Sequence, residues 1–267
     1  MKISIIVLSY NRRNHLANCL QSLANQNTKD FEVIVSDAGS TEDNVEVAKS
    51  FGGKVPQLII VSHPHSFTAE GGGIHECSKT ANLALANASG QVIQFLQHDH
   101  ILSPQYLMHL SNIFTLFPMN LVTRGIMLMG LCSYLKREVT AAEVDTLAEW
   151  EPYWNEYPRW ARFYAYGLTS LVRCPDWRGV DGFDCALRRE DAIPFDEEFK
   201  GQGHEHMDWV YRLAKQGTIF LSSALLRHYH QPHSEVRPDE QWQAELKVST
   251  ELFTKKHGEG AWREQIG

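Results

Sequence analysis

Four short apolar runs, separated by segments of helical periodicity, dominate the first hundred residues of the chain. They cover residues 3–8, 31–36, 57–61 and 91–96. Continuous runs of this length are typical of strands that are buried on both faces, and the segments between them carry apolar residues at helical spacing. Because strands that alternate with helices form parallel sheets, we predict an α/β fold with a doubly wound, mixed but mainly parallel sheet flanked by helices.

The composition is that of an ordinary globular chain of 267 residues with a formal net charge of −7. Such a charge argues against a sequence-independent nucleic-acid binder, whose affinity needs a basic face, so we expect no nucleic-acid partner, although a local basic patch remains possible. Five widely spaced cysteines without a Cys-x-x-Cys pair favour reduced thiols in a cytoplasmic protein over a disulfide framework or a thiolate zinc site. No apolar stretch approaches the roughly 18 residues of a transmembrane helix, so we expect none. The protein could still associate peripherally with a membrane through its acceptor.

The fourth apolar run ends in three adjacent polar side chains, His98, Asp99 and His100. In open α/β sheets ligands bind beyond the carboxyl ends of the strands, so chemistry is expected at this position. Imidazole and carboxylate both bind divalent cations, and a bound cation can hold a diphosphate. The alternative is a polar turn that caps a helix beginning near residue 103. This stretch alone does not decide between the two.

Other candidate ligand-binding side chains lie near the same edge of the predicted sheet. Tyr10 and Asp37 follow the first two strands, and Lys79 lies in the helix before the fourth. Together with Asp99 they offer an aromatic ring, a carboxylate for a base N–H, a cation and a metal-binding carboxylate, which suit a nucleoside diphosphate. No Gly-x-Gly-x-x-Gly or Gly-x-x-x-x-Gly-Lys-Ser/Thr motif is present, so dinucleotide and P-loop sites lose support.

The order and spacing of these segments resemble those of GT-A fold glycosyltransferases, in particular the inverting family 2. The resemblance covers about residues 1–100 and 179–233. Residues 4–12 and 37–41 resemble the nucleotide-pocket segments of the family. The resemblance implies that Tyr10 lies against the base, that Asp37 binds it, and that Asn11 and Arg12 belong to the same pocket. Lys79 and Asn82 fall where such enzymes carry a basic residue and an Asn.

The segment 97–99 resembles the Asp-x-Asp segment of the family, with Gln97 in place of the first acid. The resemblance implies that Gln97 and His98 lie at the donor and that Asp99 is a metal ligand. It also places a metal-binding His after the last strand, where we prefer His230 and rank His228 second. Alternation along a strand points both rings to one side. Carboxylate and imidazole ligands beside a diphosphate suit Mn²⁺, with Mg²⁺ second.

The segment 201–208 resembles the Gly-x-Gly-x-Glu-Asp-x-Asp segment that lies beside the acceptor in the family. Glu205 and Asp208 match it, and His206 stands where the family often carries its general base. A His has a suitable pKa for deprotonating a hydroxyl, and Glu205 is the alternative base. The competing interpretation is that Glu205 and Asp208 are acids that stabilise a helix N-terminus. Asp184 is a further residue that we expect near the sugar.

The resemblance implies a metal-dependent hexosyl- or N-acetylhexosaminyltransferase that uses a nucleotide-diphosphate sugar, expected to be a UDP-sugar. The acceptor is a hydroxyl of a glycan, a lipid-linked molecule or another compound, and transfer proceeds with inversion. Residues 1–102 would bind the donor, 103–238 the acceptor with an aromatic-rich insertion at 119–178, and 239–267 add a C-terminal helix. Because Gln97 and His206 replace acids of the family's segments, one alternative is a degenerate protein that binds nucleotide sugar without turnover. The enzyme alternative is a nucleotidyltransferase. The sequence leaves open whether the chain forms a homodimer.

Overall fold

The computed structural model of the chain describes residues 1–67, 73–74, 76–116, 125–135, 137–144, 146, 171–174, 176–201, 203–232, 239–264 and 266. The aromatic-rich part of the predicted insertion, from Trp150 to Tyr166, lies outside the described residues. The five cysteines are all free thiols. Among the described residues, no helix is both long enough and apolar enough to cross a membrane.

The described residues contain a nine-stranded sheet and a separate two-stranded pair. The strands are β1 (Ile3–Ser9), β2 (Phe31–Asp37), β3 (Leu58–Ser62), β4 (Ser66–Phe67), β5 (Gly73–Ile74), β6 (Val92–Gln97), β7 (His100–Leu102), β8 (Ile126–Tyr134), β9 (Leu171–Arg173), β10 (Cys185–Arg188) and β11 (Ile219–His230). The large sheet has the order β3-β2-β1-β6-β10-β8-β11-β7, with β9 paired to β11, while β4 pairs with β5.

Strand register brings the predicted site segments to one edge of the sheet. β1 lies between β2 and β6, parallel to both, and Ser9 pairs with Asp37 while Leu8 pairs with Gln97. In the second half, β10 is antiparallel to β6 and β8, and β11 is parallel to β8 but antiparallel to β7. His230 and His100 are cross-strand partners in the β11–β7 pair. The sheet is therefore mixed and mostly parallel, as predicted.

Helices cover both faces of this sheet. The described helices are α1 (Arg13–Ala24), α2 (Asn44–Lys49), α3 (Cys77–Leu85), α4 (Tyr106–Leu116), α5 (Ala141–Val144), α6 (Glu205–Lys215) and α7 (Asp239–His257). Ile5 on β1 belongs to the apolar cluster that contains α1 and α4 residues, whereas its neighbour Ile6 belongs to the cluster that contains α3 and α6 residues. The continuous apolar run in β1 thus exists because both faces of the strand are buried.

Local contacts set several element boundaries. α2 begins at Asn44, after a turn in which the Ser40 and Thr41 hydroxyls bond Asp37 and Asn11. α3 begins at Cys77, because residues 73–74 form β5. β11 is one strand of twelve residues, with a register shift between Ser222 and Arg227, so that His228 and His230 lie inside it rather than after it.

Candidate active site and metal centre

Asn11 joins the loop after β1 to the turn after β2. Its backbone has a left-handed conformation with φ of 51°, which Asn tolerates better than most residues. Its N–H donates to Ser40 Oγ over 2.7 Å, and its Oδ1 accepts the N–H of Thr41 over 2.9 Å. Arg12 is also left-handed, with φ of 53°. The predicted pocket residues Asn11 and Arg12 therefore lie in a tight loop that is held by the neighbouring turn.

Asp37 closes its own turn at the end of β2. Its buried carboxylate accepts the backbone N–H groups of Gly39 at 3.1 Å and Ser40 at 2.9 Å. Gly39 has φ of +74°, and a Cβ at this position would lie 2.3 Å from the backbone nitrogen of His65. Only glycine fits here, because both the backbone conformation and the space exclude a side chain. The carboxylate that is predicted to bind a base thus also fixes the turn around it.

Tyr10 packs against a residue that the sequence did not single out. The ring of His65 stacks on the ring of Tyr10, with centroids 4.5 Å apart and an interplanar angle of 16°. His65 Nδ1 is hydrogen-bonded to the carbonyl of Ala38 over 3.0 Å. One face of Tyr10 is therefore already covered, so a nucleobase would stack on the other face or displace His65. The signal in the sequence was the His63-Pro64-His65 segment after the third strand.

Lys79 and Asn82 lie on α3 but have different surroundings. Lys79 is 40% exposed, and its Nζ lies 3.5 Å from a carboxylate oxygen of Glu76. Asn82 exchanges two hydrogen bonds with the backbone of Phe195, one accepted at 2.8 Å and one donated at 3.0 Å. Lys79 is thus accessible to an anion, whereas Asn82 fastens α3 to the segment around Phe195.

Asp99, His100 and His230 form a compact group of potential metal ligands. Asp99 Oδ1 lies 3.8 Å from His100 Nε2, and Asp99 Oδ2 lies 3.6 Å from His230 Nε2. One ligand atom from each residue lies within 4.8 Å of the others. Asp99 and His100 are buried, while the side chain of His230 is 16% exposed. A carboxylate and two imidazoles fit a divalent transition metal such as Mn²⁺. His100 belongs to the metal-capable cluster His98-Asp99-His100 that the sequence indicated, although the preferred ligands were Asp99, His230 and His228.

His228, the second predicted metal-binding His, contacts Asp184 instead of Asp99. Its Nε2 lies 2.6 Å from Asp184 Oδ2, and His100 Nδ1 lies 3.7 Å from Asp184 Oδ1. Burial opposes the charged form of His100, but the carboxylate of Asp184 raises its pKa to about 9. Burial likewise opposes ionisation of Asp184, yet the facing rings of His228 and His100 hold its pKa far below the usual range. Asp184 therefore belongs to this buried cluster rather than to an open sugar pocket.

His98 and Gln97 occupy the end of β6. The Nδ1 of His98 is 3.0 Å from the carbonyl oxygen of Leu8, and burial lowers the pKa of the ring to about 4. The ring is therefore neutral at pH 7 and donates from Nδ1, which ties the end of β6 to β1. Gln97 is the last residue of β6 and is partly exposed. Of the two predicted donor contacts, Gln97 is thus the more accessible.

Glu205, His206 and Asp208 lie in the first turn of α6 and differ in exposure. Glu205 is buried, its Oε2 accepts the Gly203 N–H over 2.8 Å, and burial raises its pKa. His206 is partly exposed, and its ring centroid lies 5.8 Å from that of Phe183. Asp208 is fully buried and bonds both Arg212 and His257 at 2.7 Å. Among the three, His206 is the side chain that solvent reaches.

Residues 182–184 connect this helix to the His–Asp cluster. A Cβ on Gly182 would lie 3.1 Å from the Cβ of His206, and the ring of Phe183 faces the ring of His206. The next residue, Asp184, contacts His100 and His228. The base candidates and the metal candidates are therefore joined by three consecutive residues. A separate cavity of about 600 Å³ beside the C-terminal half of α6, lined in part by Tyr211 and Lys256, contains none of the predicted site residues.

Comparison with known sequences finds a family model over the first part of the chain. Residues 4–116 match the model described as glycosyl transferase family 2. The chondroitin synthase of Pasteurella multocida (strain Pm70) is 34% identical over 102 residues, which are 38% of this chain and 10% of that protein. The validoxylamine A glucosyltransferase of Streptomyces hygroscopicus subsp. jinggangensis is 26% identical over 279 aligned positions, which cover 96% of this chain and 61% of that protein. The chain thus spans less than two thirds of either relative.

A solved structure extends the likeness over almost the whole chain. The crystal structure of S. aureus TarS 1–349 in complex with UDP-GlcNAc superposes with a TM-score of 0.62 and 15% sequence identity. The match covers 93% of this chain and 65% of that chain. At this identity the likeness shows the fold alone, and it confirms the predicted GT-A architecture.

Proposed function

We propose that the chain transfers a sugar from a UDP-sugar to an acceptor hydroxyl with inversion, because residues 4–116 match the model described as glycosyl transferase family 2. The donor assignment is supported by the UDP-GlcNAc complex of the structurally similar TarS. The acceptor class, a glycan or another hydroxyl-bearing molecule, is supported by the names of the relatives, which include a chondroitin synthase and a validoxylamine A glucosyltransferase.

One observation carries the proposal: Asp99, His100 and His230 lie together at the edge of the sheet where β1, β2 and β6 end. The register places Asp37 beside Ser9 and Gln97 beside Leu8, so the nucleotide candidates and the metal candidates share this edge. When bound to Asp99, His100 and His230, Mn²⁺ would neutralise the charge that develops on a departing diphosphate. This combination suits a reaction whose leaving group is a nucleoside diphosphate.

The donor would lie along the ends of β1, β2 and β6. Tyr10 offers a ring face to the base, and Asp37 offers carboxylate lone pairs to a base N–H. Gln97 reaches a ribose hydroxyl as an uncharged hydrogen-bonding group. Lys79, which is 40% exposed on α3, adds a positive charge for the phosphates.

We assign the general base to His206 rather than to Glu205. Glu205 is buried and its carboxylate holds the Gly203 N–H, whereas His206 is partly exposed and adjoins residues 182–184. A base must come within hydrogen-bonding reach of the acceptor hydroxyl, and an imidazole accepts a proton near neutral pH. Glu205 then fixes the loop before α6, and Asp208 fixes α6 to α7 through His257.

The donor half of the proposal is tested by measuring UDP release from a panel of UDP-sugars with and without Mn²⁺. The Asp99→Asn variant removes the one carboxylate of the metal group while keeping its shape. We expect kcat/KM to fall at least about 100-fold, which corresponds to roughly 2.7 kcal/mol of transition-state stabilisation. Asp30→Asn is the matched control, because Asp30 is exposed and pairs with the N-terminus before β2. Full activity in Asp99→Asn would refute the metal assignment.

The same panel separates the alternatives. Tight UDP binding without turnover of any donor would identify a nucleotide-sugar-binding protein. Release of pyrophosphate from a nucleoside triphosphate, instead of UDP from a UDP-sugar, would identify a nucleotidyltransferase.

The base assignment is tested by comparing His206→Gln with Glu205→Gln. Loss of a general base costs about 10²–10⁴ in kcat, so His206→Gln should lose this factor with little change in the KM for the donor. It should also lose the acidic limb of the pH–rate profile. Glu205→Gln should keep that limb, because its carboxylate holds the loop and does not take the proton. The reverse pattern would make Glu205 the base.

A further inference from the structure

A second group of metal-binding side chains lies behind the candidate nucleotide-sugar metal centre. One ligand atom each from His100, Cys132 and His228 lies within 4.8 Å of the others. The carboxylate of Asp184 adjoins two of them, at 2.6 Å from His228 Nε2 and 3.7 Å from His100 Nδ1. Two imidazoles and a thiol therefore lie together, and a carboxylate adjoins both imidazoles.

The sheet topology assembles this group from separate elements. β11 lies between β8 and β7, and His228 is the cross-strand partner of Cys132 on β8. His100 is the first residue of β7, and Asp184 immediately precedes β10. Donors that are carried by the ends and interiors of strands are held more precisely than donors on loops. The group could not be found from cysteine spacing, because its members are widely separated along the sequence.

The two His residues and Asp184 are buried, and they contain polar atoms without hydrogen bonds. His228 is 1% exposed, and His100 and Asp184 are also buried. Within the described part of the chain, the Nδ1 atoms of both His residues and Asp184 Oδ1 have no hydrogen-bond partner. Buried polar atoms of this kind are costly unless another group satisfies them. Gly130 leaves room for the His228 ring, since a Cβ there would lie 2.8 Å from its Nδ1.

We propose that His100, Cys132 and His228, with Asp184 as the fourth donor, bind a structural zinc ion. Zinc prefers four-coordinate sites made from thiolate, imidazole and carboxylate, with donors about 3.4–3.8 Å apart. The donor atoms of His100, Cys132 and His228 lie within 4.8 Å of one another, so they would have to approach by up to about 1 Å to reach that spacing. His100 turns Nδ1 towards Asp184 and Nε2 towards Asp99, so zinc on the Nδ1 side leaves Nε2 facing the other metal group.

The thiolate distinguishes this site from the candidate centre at Asp99. Soft thiolate ligands favour zinc, whereas a carboxylate beside a diphosphate favours Mn²⁺ or Mg²⁺. A zinc ion held by β7, β8 and β11 would fix the start of β7, which follows Asp99, relative to β11, which carries His230. The inference does not depend on sugar transfer, because a structural zinc would be present in an inactive member of the family as well.

The test uses the full chain, freed of metal with a chelator under reducing conditions and titrated with Zn²⁺ or Co²⁺. Wild type should bind Zn²⁺ with a rise in Tm, and Co²⁺ should give a thiolate-to-cobalt charge-transfer band in the near ultraviolet, which reports the Cys132 site alone. Cys132→Ser should lose the band and bind Zn²⁺ at least about 100-fold more weakly. Cys77→Ser, at the other half-buried cysteine, should behave like wild type.

Two results would overturn the site. One is a wild-type chain without a charge-transfer band, which decides the matter even if Cys132→Ser fails to fold. The other is a folded Cys132→Ser variant that keeps both the band and the zinc affinity. Neither result bears on the UDP-release assay, so failure here is distinguishable from failure of the proposed function.

Discussion

Substitution of Gly39 tests whether the turn after β2 organises the nucleotide pocket. Gly39→Ala places a methyl group on a backbone with φ of +74°, where it would lie 2.3 Å from His65 N and 2.9 Å from His63 O. The left-handed conformation alone costs an alanine about 1–2 kcal/mol. The overlap is with backbone atoms, so the loop at 63–65 must move, which adds roughly 1–3 kcal/mol. We expect a total loss in the free energy of unfolding of about 2–5 kcal/mol.

Gly53→Ala is a matched control for the backbone cost. Gly53 has φ of +82°, and nothing lies within 4 Å of a Cβ built there. It should therefore lose only the conformational part, about 1–2 kcal/mol. Chemical denaturation of both variants gives the difference between them, which measures the clash with the loop.

The functional consequence follows from the contacts of the same turn. Movement of His65 disturbs its stacking on Tyr10, and movement of Gly39 disturbs the N–H that Asp37 accepts. Gly39→Ala should therefore weaken UDP binding at least about tenfold, or roughly 1.4 kcal/mol, while Gly53→Ala should not change it. Calorimetric titration of the folded variants with UDP and Mn²⁺ measures this. Equal stability losses in the two variants, or unchanged UDP affinity in Gly39→Ala, would refute the reasoning.

Two further predictions concern buried carboxylates. Burial raises the pKa of Glu32, but hydrogen bonds from Lys2 and neighbouring donors outweigh burial and lower the pKa from 4.5 to about 2. Ionised Glu32 therefore contributes about 3 kcal/mol to the free energy of unfolding above pH 5. That contribution is lost as the pH falls towards 2. In denaturation experiments, the stability difference between wild type and Glu32→Gln should therefore shrink over the same pH range. A difference that does not change with pH would contradict this prediction. Asp208→Asn should lower the free energy of unfolding by about 2 kcal/mol, because Arg212 and His257 lose their buried partner. It should leave the UDP affinity of the folded chain unchanged, and a loss of UDP affinity at wild-type stability would assign Asp208 to the site.

The sequence predicts the sheet and its functional edge because both depend on local patterns. The apolar runs identify strands with two buried faces, and the parallel order of the first half follows from their alternation with helices. The convergence of Asp37, Gln97 and Asp99 at one edge follows from the direction of the parallel strands alone. These features need no knowledge of which distant residues pair.

Which side chains contact one another, in contrast, depends on the register between elements that are far apart in the chain. Alternation correctly places His228 and His230 on one face of β11, since both rings lie 5.0 Å from the ring of His100. It does not reveal that Asp184 pairs with His228 and also contacts Nδ1 of His100, whose Nε2 faces Asp99. Asp208 is a similar case, because its partner His257 lies at the end of α7, 49 residues away. The sequence identifies these carboxylates but not the contacts that determine their roles.

A final prediction concerns the coupling between metal binding and nucleotide binding, and it follows from Gln97. Gln97 stands where the family segment carries an acid, so Asp99 is the only negative charge among the metal candidates Asp99, His100 and His230. One carboxylate and two imidazoles, which are neutral once they bind the ion, leave a divalent ion with net positive charge, which the diphosphate of UDP can neutralise. We therefore expect Mn²⁺ and UDP to strengthen each other's binding by the same factor, as linkage requires, with a coupling of about 10-fold or more.

Gln97→Asp should tighten Mn²⁺ binding without UDP and reduce this coupling. Calorimetric titration of each ligand in the presence and absence of the other measures the Mn²⁺ affinity and the coupling factor. Independent binding of Mn²⁺ and UDP to the wild-type chain would show that the metal and the diphosphate do not share a site.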